Sequence, residues 1–173
     1  MKHFAHTLTA TVILALAGCV SVAPGGPAAV ADLAPTTGNQ TSGTVTFAQR
    51  GDKVVVVAKV SGLTPGQHGF HLHEKGDCGS GDGMSAGGHF NPFTKPHGSP
   101  LAPDHHAGDL PMLAAAGNGN ATLEIELGLM TIGSGAGDIV GRAVIVHKDP
   151  DDFTTQPTGN SGARVACGVI RRS

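Results

Sequence analysis

Glycine and proline punctuate this chain too densely for a bundle of long helices. There are 27 Gly and 11 Pro among 173 residues, with no collagen-like period. In a helix interior Gly costs about 1 kcal/mol and Pro about 3 kcal/mol relative to Ala. Aromatic residues make up only 3 %, with neither Trp nor Tyr. The core must therefore be built from Val, Ile, Leu and Ala, between many turns.

The segments between the turns read as strands. In 43–49, Val45 and Phe47 share one face and Thr44 and Thr46 the other, which is the two-residue period of a half-buried strand. The turn Arg50-Gly51-Asp52-Lys53 leads into 54–60, and Gly62-Leu63-Thr64-Pro65-Gly66 leads into 68–74. A first strand at 28–34 ends at Pro35. Segments 110–116 and 121–127 flank the turn Asn118-Gly119-Asn120, and 142–147 and 164–170 complete the set. About eight strands without an amphipathic helix predict an all-β fold, an eight-stranded Greek-key barrel or sandwich. Two connections, 75–108 and 148–163, are too long for hairpins and are expected to be functional loops.

Residues 1–18 read as an export signal. Lys2 is the single formal charge before Asp32, and the apolar run 8–17 is too short for a spanning helix, which needs about 20 residues. The run ends in Leu16-Ala17-Gly18-Cys19, which is similar to a bacterial lipobox, where the cysteine is acylated and becomes the mature N-terminus. The expected organisation is a signal peptide over 1–18, a lipidated N-terminus and tether over 19–26, and one domain over 27–173. Such a chain would be exported to the periplasm of a bacterial cell envelope and held to the membrane by lipid at Cys19. With Cys19 so used, Cys78 and Cys167 remain, either joined by a disulfide in an oxidising compartment or buried as two thiols. A formal net charge of −2 excludes the strongly basic footprint of a nucleic-acid binder.

Histidine carries the chemistry. Of ten copies, His3 and His6 lie in the leader and the other eight fall between His68 and His147. In the strand-like run Gly69-Phe70-His71-Leu72-His73-Glu74, His71 and His73 project to one face while Phe70 and Leu72 turn to the core. That pattern alone also fits an ordinary polar surface. His147 ends the apolar strand Ala143-Val144-Ile145-Val146, facing either solvent or a site. His89, His97, His106 and Asp109 form a sensible tetrahedral set for Zn²⁺. His71, His73, His89 and His147 form an all-nitrogen set suited to Cu(II). His89 belongs to both, and an imidazolate can bind one metal through each ring nitrogen.

Four segments carry a resemblance: Gly69-Phe70-His71-Leu72-His73-Glu74, Gly88-His89-Phe90-Asn91-Pro92, His106-Ala107-Gly108-Asp109-Leu110 and the run from Gly159 to Ile170. In these the chain, from about Gly43 to its C-terminus, resembles the copper/zinc superoxide dismutases. The early position of Cys78, followed by a Gly-rich stretch, is similar to the family's bacterial, exported members. The resemblance implies copper at His71, His73, His89 and His147, and zinc at His89, His97, His106 and Asp109, one ion of each per subunit. His106 rather than its neighbour His105 matches the family's step to Asp109. Asp151 would link a copper ligand to a zinc ligand, Arg164 would orient the substrate, and Cys78–Cys167 would be a disulfide pinning a loop.

The implied activity is dismutation of superoxide to O₂ and H₂O₂ by alternating reduction and oxidation of copper, with Arg164 and His89 as the catalytic residues. Its role would be defence against extracytoplasmic superoxide. His68 is expected to make a structural hydrogen bond and Arg142 to be a surface charge at a strand start. The lysines that assist Arg164 are open between Lys148 and Lys95, and subunit assembly is open too, a homodimer being one form. A metal-buffering lipoprotein would lack a copper ligand or the arginine, and all are present. A zinc hydrolase would need an open zinc position, which four ligands close.

Overall fold

The computed structural model describes Gly26 and residues 28–173. The expected signal over 1–18, Cys19 and all of the tether except Gly26 lie outside the described residues. The alternating segments form the expected strands. β1 (Ala28–Pro35), β2 (Ser42–Arg50) and β3 (Lys53–Ser61) make an antiparallel meander. Val45 and Phe47 are buried, whereas Thr44 and Thr46 face solvent.

There follow β4 (Gly66–His68), β5 (Phe70–His73), β6 (Leu113–Ala115), β7 (Ala121–Leu127), β8 (Ala143–His147), β9 (Arg164–Val169) and β10 (Arg171–Arg172). The main sheet runs β5-β8-β9-β1-β2-β3-β7, with β10 also on β1. β4 continues directly into β5 and pairs with β6, and β6 turns back into β7 through the Ala116 N–H to Asn120 carbonyl bond of 2.9 Å. The sheet therefore curls into a barrel. Because β3 lies beside β7 and not beside β4, the connection crosses the barrel, and the fold is an all-β Greek key.

Three strand limits differ from the sequence expectation. The strand at 68–74 divides at Gly69, because β4 pairs with β6 while β5 pairs with β8. Gly69 spends its own N–H on the Asp149 carbonyl at 2.9 Å and accepts from the His147 N–H at 2.8 Å. The strand at 110–116 contracts to β6, because Pro111 has no N–H to contribute to a ladder. The last strand stops at Val169, and Arg171 and Arg172 pair with β1 instead. The one helical element among the described residues is a 3₁₀ turn, Met84–Ala86.

The inner faces of β1, β2, β3, β5 and β8 fill the barrel with Ala31, Val45, Phe47, Val56, Phe70 and Val144. β8 is buried along its whole length. Val144 and Val146 point into the barrel, while Ala143 and Ile145 pack outside it with Ala86, Cys78 and Cys167. Loop 75–108 thus covers the outer face of β8. A disulfide joins Cys78 to Cys167 across a sequence separation of 89, tying this loop to β9.

Candidate metal centre

The site is assembled on the free edge of β5. One edge of this strand pairs with β8, with His71 opposite Ile145 and His73 opposite Ala143. The other edge takes the long loop instead of a strand. The Leu72 N–H donates to the Gly108 carbonyl at 2.8 Å, the Phe90 N–H to the Leu72 carbonyl at 2.8 Å, and the Glu74 N–H to the Gly88 carbonyl at 2.9 Å. This register sets His73 against His89 and His71 against Asp109. Position 108 must be glycine, since a Cβ there would collide with the Leu72 carbonyl and come within 3.0 Å of the Phe90 nitrogen. Backbone pairing therefore brings residues distant in sequence to one place.

His71, His73, His89 and His147 each offer a ligand atom to a cluster no wider than 4.8 Å. Each has one ring nitrogen engaged. His71 Nε2 bonds Asp151 Oδ2 at 2.6 Å, and His73 Nδ1 bonds the Gly87 carbonyl at 2.9 Å. His89 Nδ1 meets Asp109 Oδ1 at 2.9 Å, and His147 Nδ1 meets the Gly162 carbonyl at 3.3 Å. Their other nitrogens, His71 Nδ1 and the Nε2 atoms of His73, His89 and His147, are buried without a hydrogen-bond partner. Leaving one buried polar group unpaired costs about 1–3 kcal/mol. Four such nitrogens converging on one point fit a cation with a preference for imidazole, as copper has.

The second cluster joins His89, His97, His106 and Asp109, again within 4.8 Å. Asp109 Oδ1 lies 2.9 Å from His89 Nδ1, 3.0 Å from His97 Nδ1 and 3.4 Å from His106 Nδ1, and the His89 and His106 nitrogens are 3.5 Å apart. A tetrahedron with metal–ligand bonds of 2.0–2.1 Å has edges of about 3.3 Å, so these atoms match the corners demanded by Zn²⁺. Asp109 Oδ2 is held in place by the N–H groups of Gly98 at 3.0 Å and His106 at 2.8 Å.

Asp151 connects the two clusters. Its Oδ2 holds His71 and its Oδ1 meets His97 Nε2 at 3.0 Å. Such outer carboxylates orient metal-binding imidazoles. The local electrostatics favour neutral rings on the all-nitrogen side. Burial, reinforced by His71, lowers the pKa of His89 to about 4 and that of His147 to about 3. Burial, with His89 and Arg164 nearby, also lowers that of His73. Burial would depress His97 too, but bonds to Asp109 and Asp151 raise it to about 9. Burial works against ionisation of Asp109 as well, yet the His106, His89 and His97 rings hold it far below the ordinary carboxylate range.

A polar cleft opens onto the all-nitrogen cluster, lined by His73, His89, His147, Arg164 and Ser161 among others. The Arg164 guanidinium is half-buried in its wall, donating to the Gly83 carbonyl at 2.6 Å and the Gly87 carbonyl at 2.7 Å. The sequence reading missed Met84, Thr158, Asn160 and Ser161, which also line this cleft. No periodicity marks them, because Met84 sits in a three-residue 3₁₀ turn and the others in an irregular loop. The buried Ser161 hydroxyl has no partner.

His68 is structural, bonding the His147 carbonyl at 2.9 Å and the Thr64 carbonyl at 2.8 Å. His105 turns its Nδ1 to the His106 carbonyl at 2.7 Å. Arg142, part-exposed just before β8, stacks its guanidinium 4.6 Å from the Phe90 ring centroid and donates to the Glu74 carbonyl at the surface. Lys95 is ion-paired to Asp104, whereas Lys148 lies near His68 in a separate cleft.

The model of the family described as copper/zinc superoxide dismutase (SODC) matches residues 41–170. Superoxide dismutase [Cu-Zn] 2 of Brassica juncea is 48 % identical over 135 residues, covering 74 % of this chain and 88 % of that protein. The crystal structure of the clock protein EA4 superposes with a TM-score of 0.76 at 40 % identity, covering 83 % of this chain and 93 % of that one. With two histidine-rich clusters sharing His89 on a Greek-key barrel, the chain belongs to the copper/zinc superoxide dismutase family, enzymes with copper and zinc as their cofactors.

Proposed function

We propose that superoxide dismutation in this chain uses His71, His73, His89 and His147 as the copper ligands and His89, His97, His106 and Asp109 as the zinc ligands. The observation that carries the assignment is the set of four unpartnered buried nitrogens, one of them on a ring whose other nitrogen faces the Asp109 cluster. Copper, when bound, supplies the one-electron acceptor and donor that two superoxide ions require, and zinc supplies a fixed charge on the shared ring.

The remaining work falls to the chain. Two superoxide ions and two protons give O₂ and H₂O₂, so a group beside the substrate must hold and release protons. His89 Nε2 would be that group whenever it is free of copper, its ring kept in orientation by Nδ1 on the zinc side. Arg164, a permanent cation fixed by two carbonyls at the cleft wall, attracts and orients the anion. Asp151 keeps the His71 and His97 rings in register through their Nε2 atoms. Replacing His147 by Ala should reduce dismutation to background while zinc content stays near one per chain, as read by metal analysis and a superoxide-consumption assay. Full activity in that variant would refute the copper assignment.

The enzyme acts outside the cytosol in this reading, against superoxide arising there. The apolar run 8–17 with Leu16-Ala17-Gly18-Cys19 supports it, as does the Cys78–Cys167 disulfide, since disulfides persist in oxidising compartments. Expressed in a bacterial host, the full chain should sediment with membranes and carry an acyl mass increment on Cys19. C19S should remove both. An unacylated native chain would overturn the anchor and leave the dismutase assignment untouched.

A further inference from the structure

Loop 148–163 grips loop 75–108 at a single proposed zinc ligand. Asp151 Oδ1 meets the His97 ring, and the Gln156 side chain takes both backbone groups of the same residue. The His97 N–H donates to Gln156 Oε1 at 2.8 Å, and Gln156 Nε2 donates back to the His97 carbonyl at 2.8 Å, across a sequence separation of 59. Gln156 Nε2 also reaches the Thr154 carbonyl at 3.4 Å, within its own loop.

The other ligands of that cluster are supported differently. His89 is set against the edge of β5. His106 and Asp109 support one another, the Asp109 N–H donating to the His106 carbonyl at 3.1 Å and the His106 N–H to Asp109 Oδ2. Among the described residues, no backbone–backbone hydrogen bond ends on His97. It follows Pro96, its N–H and carbonyl are spoken for only by Gln156, and yet its ring is fully buried.

We propose that Gln156 is a positioning residue for zinc, its amide acting as a one-residue strand partner that fixes the His97 backbone so that Nδ1 is presented to the ion. The proposal rests on the assignment of His97 to zinc made above. Without Gln156 only the neighbouring Gly98 N–H, on Asp109 Oδ2, would hold this backbone, and the ordering left to be done when the metal arrives would weaken binding. The same loop carries Thr158, Asn160 and Ser161 to the substrate cleft, so zinc affinity is set partly by the segment that lines the cleft.

The test uses the full chain and three variants, Q156M, Q156E and H97A. Zinc affinity is read by competition with a chromophoric chelator, and the site's geometry by the visible spectrum with Co²⁺ in place of zinc. Q156M, similar in length but unable to make either bond, should bind zinc about 10- to 100-fold more weakly and shift the Co²⁺ bands, as loss of an outer partner does. Q156E can still accept from the His97 N–H but cannot donate to its carbonyl, so it should fall between Q156M and the native chain.

In the metal-free native chain the His97 amide should exchange its hydrogen slowly, and in Q156M at the rate of an open loop. A general loosening of the fold would lower the melting temperature without this graded order or this local exchange. If H97A loses zinc while Q156M stays within twofold of native affinity, the role of Gln156 is overturned. If H97A itself keeps native zinc affinity, the assignment of His97 falls, and the proposal with it.

Discussion

Each ring of the all-nitrogen cluster has one nitrogen engaged by the protein and one left for chemistry. His89 has its Nδ1 on Asp109 and its Nε2 unpartnered among three other imidazoles. Arg164 is held in a comparable way, with two carbonyls fixing the plane of a cation beside the cleft. Replacing it by Ala should lower kcat/KM for superoxide by roughly tenfold or more, and the native enzyme should lose its advantage as salt is raised, since local field governs anion capture. R164K should recover part of the rate, because charge returns without the two-pronged anchor. Rate measurements across ionic strength would check both. At this scale the choice between adjacent His105 and His106 was readable only through the resemblance. Spacing cannot say which imidazole turns inward. Ser161 had no signature at all, because a buried hydroxyl in an irregular loop follows no period.

At the scale of elements, loop 75–108 takes its order from the edge of β5, the two clusters it contributes to, the bonds of Gln156 to His97, and the disulfide to β9. It has little apolar surface of its own to bury. Closing a loop with a sequence separation of 89 is worth about 4–5 kcal/mol in the chain-entropy account. C78S/C167S should lose stability of that order in urea unfolding of the metal-loaded enzyme, and protease should cut first within 75–108. An unchanged unfolding midpoint would show that the metals alone hold the loop. The strands were legible because Val45, Phe47 and their neighbours alternate cleanly. The break at Gly69 was not, because it depends on which partner each half of the segment finds.

The molecule as a whole is built to keep the imidazoles of its all-nitrogen cluster neutral and its buried carboxylates ionised, and this makes its metal-free form acid-sensitive. His89 and His147 have pKa values depressed to about 4 and about 3, below the ordinary value of 6.5. The unfolded chain therefore binds protons first, and their contribution, full above pH 6.5, is lost as pH falls through about 4 to 3. The depressed carboxyls of Asp109 and Asp151 act in the same direction at lower pH. His97, raised to about 9, works the opposite way, its contribution being lost as pH rises from 6.5 through about 9. The melting temperature of the metal-free chain should fall steeply between pH 6.5 and pH 4 and more gently as pH rises from 6.5 through about 9. A flat profile across the acid range would contradict the buried, neutral rings.

The sequence by itself determined the β class, through turn residues too dense for helices and side chains alternating in twos, and it determined which residue types could hold metal. Both properties are local, fixed by neighbours in the chain. Tertiary structure decided which nitrogen of each histidine is free, that the outer face of β8 is covered, that Arg142 turns onto Phe90, and that Gln156 clasps His97. Each of these depends on pairing between segments dozens of residues apart, and no local pattern encodes which atoms such pairing will bring within 3 Å of one another.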